Sequence, residues 1–150
     1  MIQRVTSASV TVDDDRIAAI GRGLLVLAGV ETGDVEDDAR RAAAKVATLR
    51  VFEDAAGRMN LALADVGGEL LAVSQFTLAG SIEKGRRPGF DGAMEPVRAR
   101  VLFDHFVEAL AKEGVAVRTG AFGAHMDVAL VNDGPVTFLY DTRGTPDASA

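Results

Sequence analysis

The chain contains no cysteine, which excludes disulfide frameworks, thiol nucleophiles and thiolate metal sites. Histidine is scarce as well: His105 and His125 are the only two, too few for a histidine-rich metal centre. Neither a metal nor another cofactor is therefore expected. No run approaches the ~20 apolar residues that span a bilayer, and the N-terminal residues show no basic region followed by a hydrophobic core. Absence from membranes and a cytoplasmic location are the expectations. A basic excess is missing too. The 16 Lys and Arg are outnumbered by 22 Asp and Glu, for a net charge of −6, the wrong sign for coating nucleic acid non-specifically. Contact with a polyanion must then be local, and no binding to DNA is expected.

What is present fits one globular domain. The 150 residues are 48% apolar and 25% charged, enough to bury a sizeable core. Ser7 to Val12 alternates strictly, with Ser7, Ser9 and Thr11 on one face and Ala8, Val10 and Val12 on the other, which predicts a half-buried strand. Asp13-Asp14-Asp15 reads as a hairpin turn; a calcium loop would need a glycine and a distal glutamate that are missing. Ile17 to Ile20 and the continuous run Leu24 to Ala28 predict two more strands, the second buried on both faces. The turn between them, Gly21-Arg22-Gly23, lacks the full dinucleotide-loop pattern.

Val35 to Leu49 carries one apolar stripe with acidic residues at its start and predicts a helix. Val51 to Glu53 and Met59 to Leu61 flank a turn at Ala56-Gly57, and Gly67-Gly68 launches a strand expected to run from Glu69 to Leu78. A second helix is predicted from about Glu95 to Glu113, with Val97, Val101, Leu102, His105, Phe106, Ala109 and Leu110 facing inward. Strands near Val115 to Arg118, Val128 to Val131 and Val136 to Tyr140 follow, and 142–150 is expected to fray. No βαβ alternation is legible. The fold class expected is α+β: a largely antiparallel sheet curled toward a partial barrel, with two main helices in a single domain.

Two segments break this apolar pattern. Ser74-Gln75-Phe76-Thr77-Leu78 puts Gln75 and Thr77 side by side at the end of an apolar strand, and Asn132-Asp133-Gly134-Pro135-Val136-Thr137 puts Gly-Pro between two apolar runs. Neither placement is free of cost, and two in one small domain point to a shared site. Each also has a plainer account, a strand surfacing into solvent and a tight hairpin. Thr77 could be a nucleophile, yet a hydroxyl needs an adjacent base, and no Ser/His/Asp arrangement is present. His105 reads as a packed core residue and His125 as a loop residue. If the chain hydrolyses something, positioning and backbone donors must do most of the work. Gly134-Pro135 reads as a rigid backbone surface whose peptide bond could be trans or cis. Lys84-Gly85-Arg86-Arg87 is the one compact basic patch, a solvated loop or a phosphate contact.

With these residues in view the chain resembles the D-aminoacyl-tRNA deacylases over 1–141. Ser-Gln-Phe-Thr-Leu and Asn-x-Gly-Pro-Val-Thr are that family's two signature motifs and both are intact. Val51-Phe52-Glu53-Asp54, Met59-Asn60-Leu61, Lys84-Gly85-Arg86-Arg87-Pro88 and Phe122-Gly123-Ala124 are similar to it as well. Gly89-Phe90 and Ala79-Gly80-Ser81 depart from the family's frequent Ser-Phe and Tyr-Ala-Asp-like stretches. The resemblance implies a homodimer that hydrolyses the ester of D-aminoacyl-tRNA, with Gly134 and Pro135 of one subunit, as a Gly-cisPro pair, facing the α-carbon bound in the other. It further implies Ser74, Gln75, Phe76 and Thr77 as catalytic-site residues, with main-chain donors around Phe76 and Thr77 lining the reacting carbonyl and Thr77 as nucleophile or positioning group. Water activation would fall to the terminal 2′-hydroxyl of the tRNA, whose phosphates Lys84, Arg86 and Arg87 would contact. A backbone wall that rejects L-residues should let glycine through, including glycyl-tRNA mischarged on tRNA(Ala). The competing readings are a non-catalytic nucleic-acid-binding relative of the same fold, and an esterase or amidase acting on free small molecules.

Overall fold

The computed structural model describes residues 1–144. In chain order the elements are β1 (Ile2–Val12), β2 (Asp15–Ile20), β3 (Gly23–Ala28), α1 (Glu36–Thr48) and the short pair β4 (Phe52–Glu53) and β5 (Met59–Leu61). There follow β6 (Glu69–Ser74), α2 (Pro96–Lys112), β7 (Ala116–Thr119) and β8 (Asp127–Phe138).

The long strand β1 is the axis of the six-stranded sheet. Asp13 and Asp14 take φ of 48° and 68°, the left-handed pair that closes a two-residue hairpin with the twist strands prefer. β2 therefore returns along the C-terminal half of β1, pairing Ala8 with Ile20. β3 takes the N-terminal half of the same edge, pairing Ile2 with Val26 and Val5 with Gly23. β8 covers the opposite edge of β1 over almost its full length. β2, freed from β3, swings across toward β6 and β7, and the mixed sheet closes nearly into a barrel. Gly23 marks the bend: a Cβ there would lie 1.8 Å from the Glu69 carbonyl oxygen, so only glycine lets the two backbones meet.

The single-domain α+β class holds, with two main helices and antiparallel pairings along β1. The absence of βαβ units does not. β3 and β6 run parallel, as do β6 and β7, and each pair is joined by a crossover containing one helix. Parallel neighbours need such crossovers, and the strand pair β4–β5 inside the first one hides the alternation from a linear reading.

Alternating side chains on β3 and β6 feed two cores. Leu24, Val26, Leu70 and Ala72 pack under the helices with Val46, Phe103, Phe106 and Leu110. Leu25, Leu71 and Val73 point the other way, against Val5, Val10 and Ile20. Burial on both faces is why these strands are apolar without alternation, and each fully buried leucine contributes about 1.5–3 kcal/mol. α1 starts where the Asp38 carboxylate accepts the Val35 N–H at 2.9 Å. α2 starts where Glu95 accepts from Val97 and Arg98 at 2.9 and 3.2 Å, a side-chain cap with Pro96 in the first turn.

Four expectations need correction. Val97 and Val101 are exposed, at 72% and 51%, because the buried face of α2 runs along Ala99, Phe103, Phe106 and Leu110, with Val107 and Ala109 packed beside it. His105 is half-buried beside Glu36 of α1 at 3.9 Å, at the helix–helix rim rather than in the core. The strand from Glu69 ends at Ser74, not Leu78. The two C-terminal strands are one, β8, with Gly134 and Pro135 inside it. Of the expected fraying tail, residues 145–150 lie outside the described residues. Thr142 and Arg143 are tied down: Arg41 donates to the Thr142 carbonyl at 3.0 Å, and Arg143 pairs with Glu31 at 2.5 Å.

Candidate active site

At the C-terminal end of β6 the chain turns instead of running on. The Gln75 N–H still donates to the Ala28 carbonyl of β3 at 2.8 Å, but Gln75 takes φ −142° and ψ 81°, and Phe76–Ala79 forms a 3-10 turn. Gln75 and Thr77 are neighbours as the sequence reading expects, through the turn rather than through strand alternation: Gln75 Nε2 donates to Thr77 Oγ1. The Phe76 and Thr77 N–H groups open the turn and have no acceptor among the described residues. First-turn donors lack internal partners by geometry and are available to a ligand oxygen. Phe76, Thr77 and Leu78 are exposed and Ser74 is half-buried. Among the described residues no carboxylate or histidine is hydrogen-bonded to Thr77: His105 lies by Glu36, and His125 is 97% exposed by Asp127.

The second motif is a bulge in β8. Gln3 of β1 pairs with Thr137 and Val5 pairs with Asn132, so two residue steps on β1 oppose five on β8. The three extra steps carry Gly134 and Pro135 out of the ladder, both exposed, and their peptide bond is cis. Gly134 has φ 145°, and a Cβ on it would meet Val136 Cγ2 at 2.6 Å. The bulge is held by side chains. Asn132 Oδ1 accepts the Val136 N–H at 2.7 Å, while its Nδ2 donates to the Val136 carbonyl at 3.2 Å and to Thr137 Oγ1 at 3.1 Å. From below, Arg4 Nε donates to the Asp133 carbonyl at 3.0 Å and Nη1 to the Val51 carbonyl at 2.7 Å. Glu53 and Asp133 supply counter-charges at 3.9 and 3.4 Å. Arg4 is the buried charged residue of the fold, at 6% exposure.

Arg4 was not singled out from the sequence. Its signal is a charged side chain two residues after the buried Ile2, in a strand that begins earlier than Ser7. Among the described residues the Gly134 and Pro135 carbonyls are engaged neither by β1 nor by a side chain, which leaves them acceptor capacity to spare.

Within one chain the two motifs are not brought together. β8, β1, β3 and β6 lie in that order, three strand intervals apart, roughly 14 Å at about 4.8 Å each. The larger cavity, about 410 Å³ between the helices and residues 139–143, is lined by Leu78 but not by Gln75, Thr77, Gly134 or Pro135. Lys84, Arg86 and Arg87 lie on an exposed loop whose ends are clamped by paired main-chain bonds between Ser81 and Gly89, both 2.8 Å. Among the described residues none of the three forms an ion pair. No group of three or more His, Asp or Glu among the described residues could hold a metal, and none of their helices is long and apolar enough to cross a membrane.

Free main-chain donors beside an exposed hydroxyl, with no base paired to it among the described residues, can hold and polarise a carbonyl oxygen by positioning. The sequence matches the family described as D-Tyr-tRNA(Tyr) deacylase over residues 1–141. It is 56% identical over 143 residues to the D-aminoacyl-tRNA deacylase of Geobacter sulfurreducens, covering 95% of this chain and 94% of that one. The corresponding enzyme of Pelobacter propionicus is 57% identical over 141 residues, covering 94% and 97%. Among solved structures, the c-Myc DNA Unwinding Element Binding Protein superposes with a TM-score of 0.86 at 41% identity, covering 93% of this chain and 96% of that one. A probable eukaryotic D-amino acid tRNA deacylase shares the fold, with a TM-score of 0.78 at 18% identity over 89% and 93%. The chain belongs to the D-Tyr-tRNA(Tyr) deacylase family: it is a hydrolase acting on the ester bond of D-aminoacyl-tRNA, a proofreading step of translation.

Proposed function

We propose that the chain acts as a homodimer in which Gly134-Pro135 of one protomer faces the Ser74–Leu78 turn of its partner, in the cytoplasm. The support is the separation of the two motifs within one chain, with each presenting unengaged main-chain groups of opposite kind. Phe76 and Thr77 N–H groups hold the ester carbonyl and stabilise the oxyanion that forms on it. The partner's Gly134 and Pro135 carbonyls stand against the α-carbon. Inverting that centre exchanges a hydrogen for a side chain, so one stiff wall excludes every L-residue without reading side-chain type. Glycine has no β-carbon and passes, so glycyl-tRNA mischarged on tRNA(Ala) is a substrate.

Thr77 positions rather than attacks, since its hydroxyl is bonded to Gln75 and no base is hydrogen-bonded to it among the described residues. Water adds to the carbonyl carbon, the bond to the ribose 3′-oxygen breaks, and the water's proton reaches that oxygen through the neighbouring 2′-hydroxyl. Lys84, Arg86 and Arg87 contact backbone phosphates; with so few cations, the salt dependence of tRNA binding is shallow.

The test is single-turnover hydrolysis of matched D-tyrosyl-, L-tyrosyl- and glycyl-tRNA, each also with a 2′-deoxy terminal adenosine. Cleavage of the D- and glycyl-esters, abolished by 2′-deoxy substitution, is expected. Equal rates on D and L overturn the wall, and full activity without the 2′-hydroxyl overturns substrate assistance. A DNA-binding role, raised by the name of the 41%-identical relative, would appear as DNA affinity without hydrolysis.

A further inference from the structure

We infer that Phe90 is a stacking platform for the unpaired base that precedes the terminal adenosine of the tRNA. The inference rests on the deacylase reading and names how the substrate's single-stranded end is led into the site. Phe90 sits where the clamped basic loop rejoins the fold. Its ring meets Phe76 edge-on, with centroids 5.1 Å apart and planes at 61°, and stays 40% exposed. The ring is seated on the main chain of the 3-10 turn: a Cβ on Gly80 would come within 2.9 Å of its edge. Its own segment is fastened, since Ala93 N–H donates to the Phe90 carbonyl at 3.0 Å and Met94 N–H to Val30 at 3.0 Å.

An exposed aromatic ring on a fixed support costs apolar hydration unless something covers it. Two features select the covering group. Phe76, the other ring of the pair, belongs to the turn that holds the reacting ester. Lys84, Arg86 and Arg87, unpaired among the described residues, lie in the same loop, on a chain whose net charge is −6. A ring at the base of a cationic loop and at the end of an acyl site matches single-stranded RNA, whose bases stack on aromatic faces while cations track the phosphates. The terminal adenosine carries the ester and lies at Phe76. The next base along is the one that reaches Phe90.

The experiment compares D-tyrosyl-tRNA with the D-tyrosyl ester of adenosine alone, which has no preceding base. Phe90→Ala is expected to lower kcat/KM on the tRNA about tenfold to hundredfold, the range a lost base–aromatic stack implies. On the adenosine ester the loss is expected to be smaller by at least about tenfold, and Phe90→Trp restores the rate on tRNA. In parallel, 2-aminopurine placed before the terminal adenosine should lose its fluorescence on binding wild type but not Phe90→Ala. An equal loss on both substrates overturns the inference, because Phe90 would then serve only to support Phe76. No loss on tRNA, or no rescue by tryptophan, overturns it too. If wild type cleaves neither ester, the deacylase reading itself fails, a different outcome from any of these.

Discussion

The two motifs solve opposite problems. At Ser74–Leu78 the main chain is fixed by its bond to the parallel strand and by its own 3-10 turn, while its side chains engage one another and Phe90 rather than hold the turn. At Asn132–Thr137 the main chain has left its ladder and must be fixed by side chains, chiefly Asn132 and the buried Arg4. The first region can therefore lose a side chain with little structural consequence, whereas the second depends on side chains for its shape. In the proposed function, chemistry that needs donors falls to the first, and selectivity that needs a stiff surface falls to the second.

The sharpest way to break this contrast is Gly134→Val. With φ at 145° and no room for a Cβ beside Val136, the substitution forces the bulge to move, at a cost of about 1–3 kcal/mol. Deacylation of D-tyrosyl-tRNA should fall at least about a hundredfold, or the preference for D over L should collapse. A variant with wild-type rates on both enantiomers would show that the bulge is no wall.

Arg4→Met comes next. It strips donors from the Asp133 and Val51 carbonyls and leaves Asp133 without its counter-charge. Leaving those carbonyls without donors costs about 1–3 kcal/mol, readable as a lowered denaturation midpoint, and the D-to-L ratio should fall by at least about tenfold. Unchanged discrimination in a destabilised protein would confine Arg4 to the core.

Asn132→Ala removes three hydrogen bonds to Val136 and Thr137, with an expected loss of about 1–2 kcal/mol and a milder drop in selectivity. Thr77→Ala, on the other side of the comparison, should shift stability by less than about 0.5 kcal/mol and the single-turnover rate by less than about tenfold. Complete loss of activity in folded protein would make Thr77 a nucleophile after all.

The smallest effect is a matter of pH. The Arg143 guanidinium, hydrogen-bonded to Asp141, holds that carboxyl below the usual carboxylate range. A carboxyl lowered in the folded state contributes stability above its ordinary pKa and loses that contribution as pH falls through the lowered value. The pair is largely exposed, so Arg143→Ala should cost less than about 1 kcal/mol at neutral pH, and the two proteins should converge in stability in acid. A difference that persists there would show that the loss does not come from charge pairing at Arg143.

How much was legible follows the same divide. Gln75 and Thr77 could be paired from the sequence because they are close in it and because an apolar strand precedes them. The 3-10 turn that pairs them was not legible: Ser-Gln-Phe-Thr-Leu carries no glycine or proline to mark the end of the strand. Arg4 was illegible as an anchor because its partners, Val51 and Asp133, lie 47 and 129 residues away. The outward face of α2 was misjudged at Val97 and Val101, since a helical stripe does not state how far the neighbouring layer extends. The parallel pairing of β3 with β6 was hidden by the β4–β5 hairpin within its crossover.

Local chemistry settled what the sequence could settle alone. Absent cysteine and scarce histidine removed thiol and histidine-rich metal centres, periodicity set out helices and strands, and two motifs marked the candidate site. Those properties depend on residues within a few positions of one another. Where the two motifs lie relative to each other, and what holds the Gly134-Pro135 bulge, depends on strand order and register. These are long-range choices made by burial across the whole sheet, so only the tertiary structure decided them.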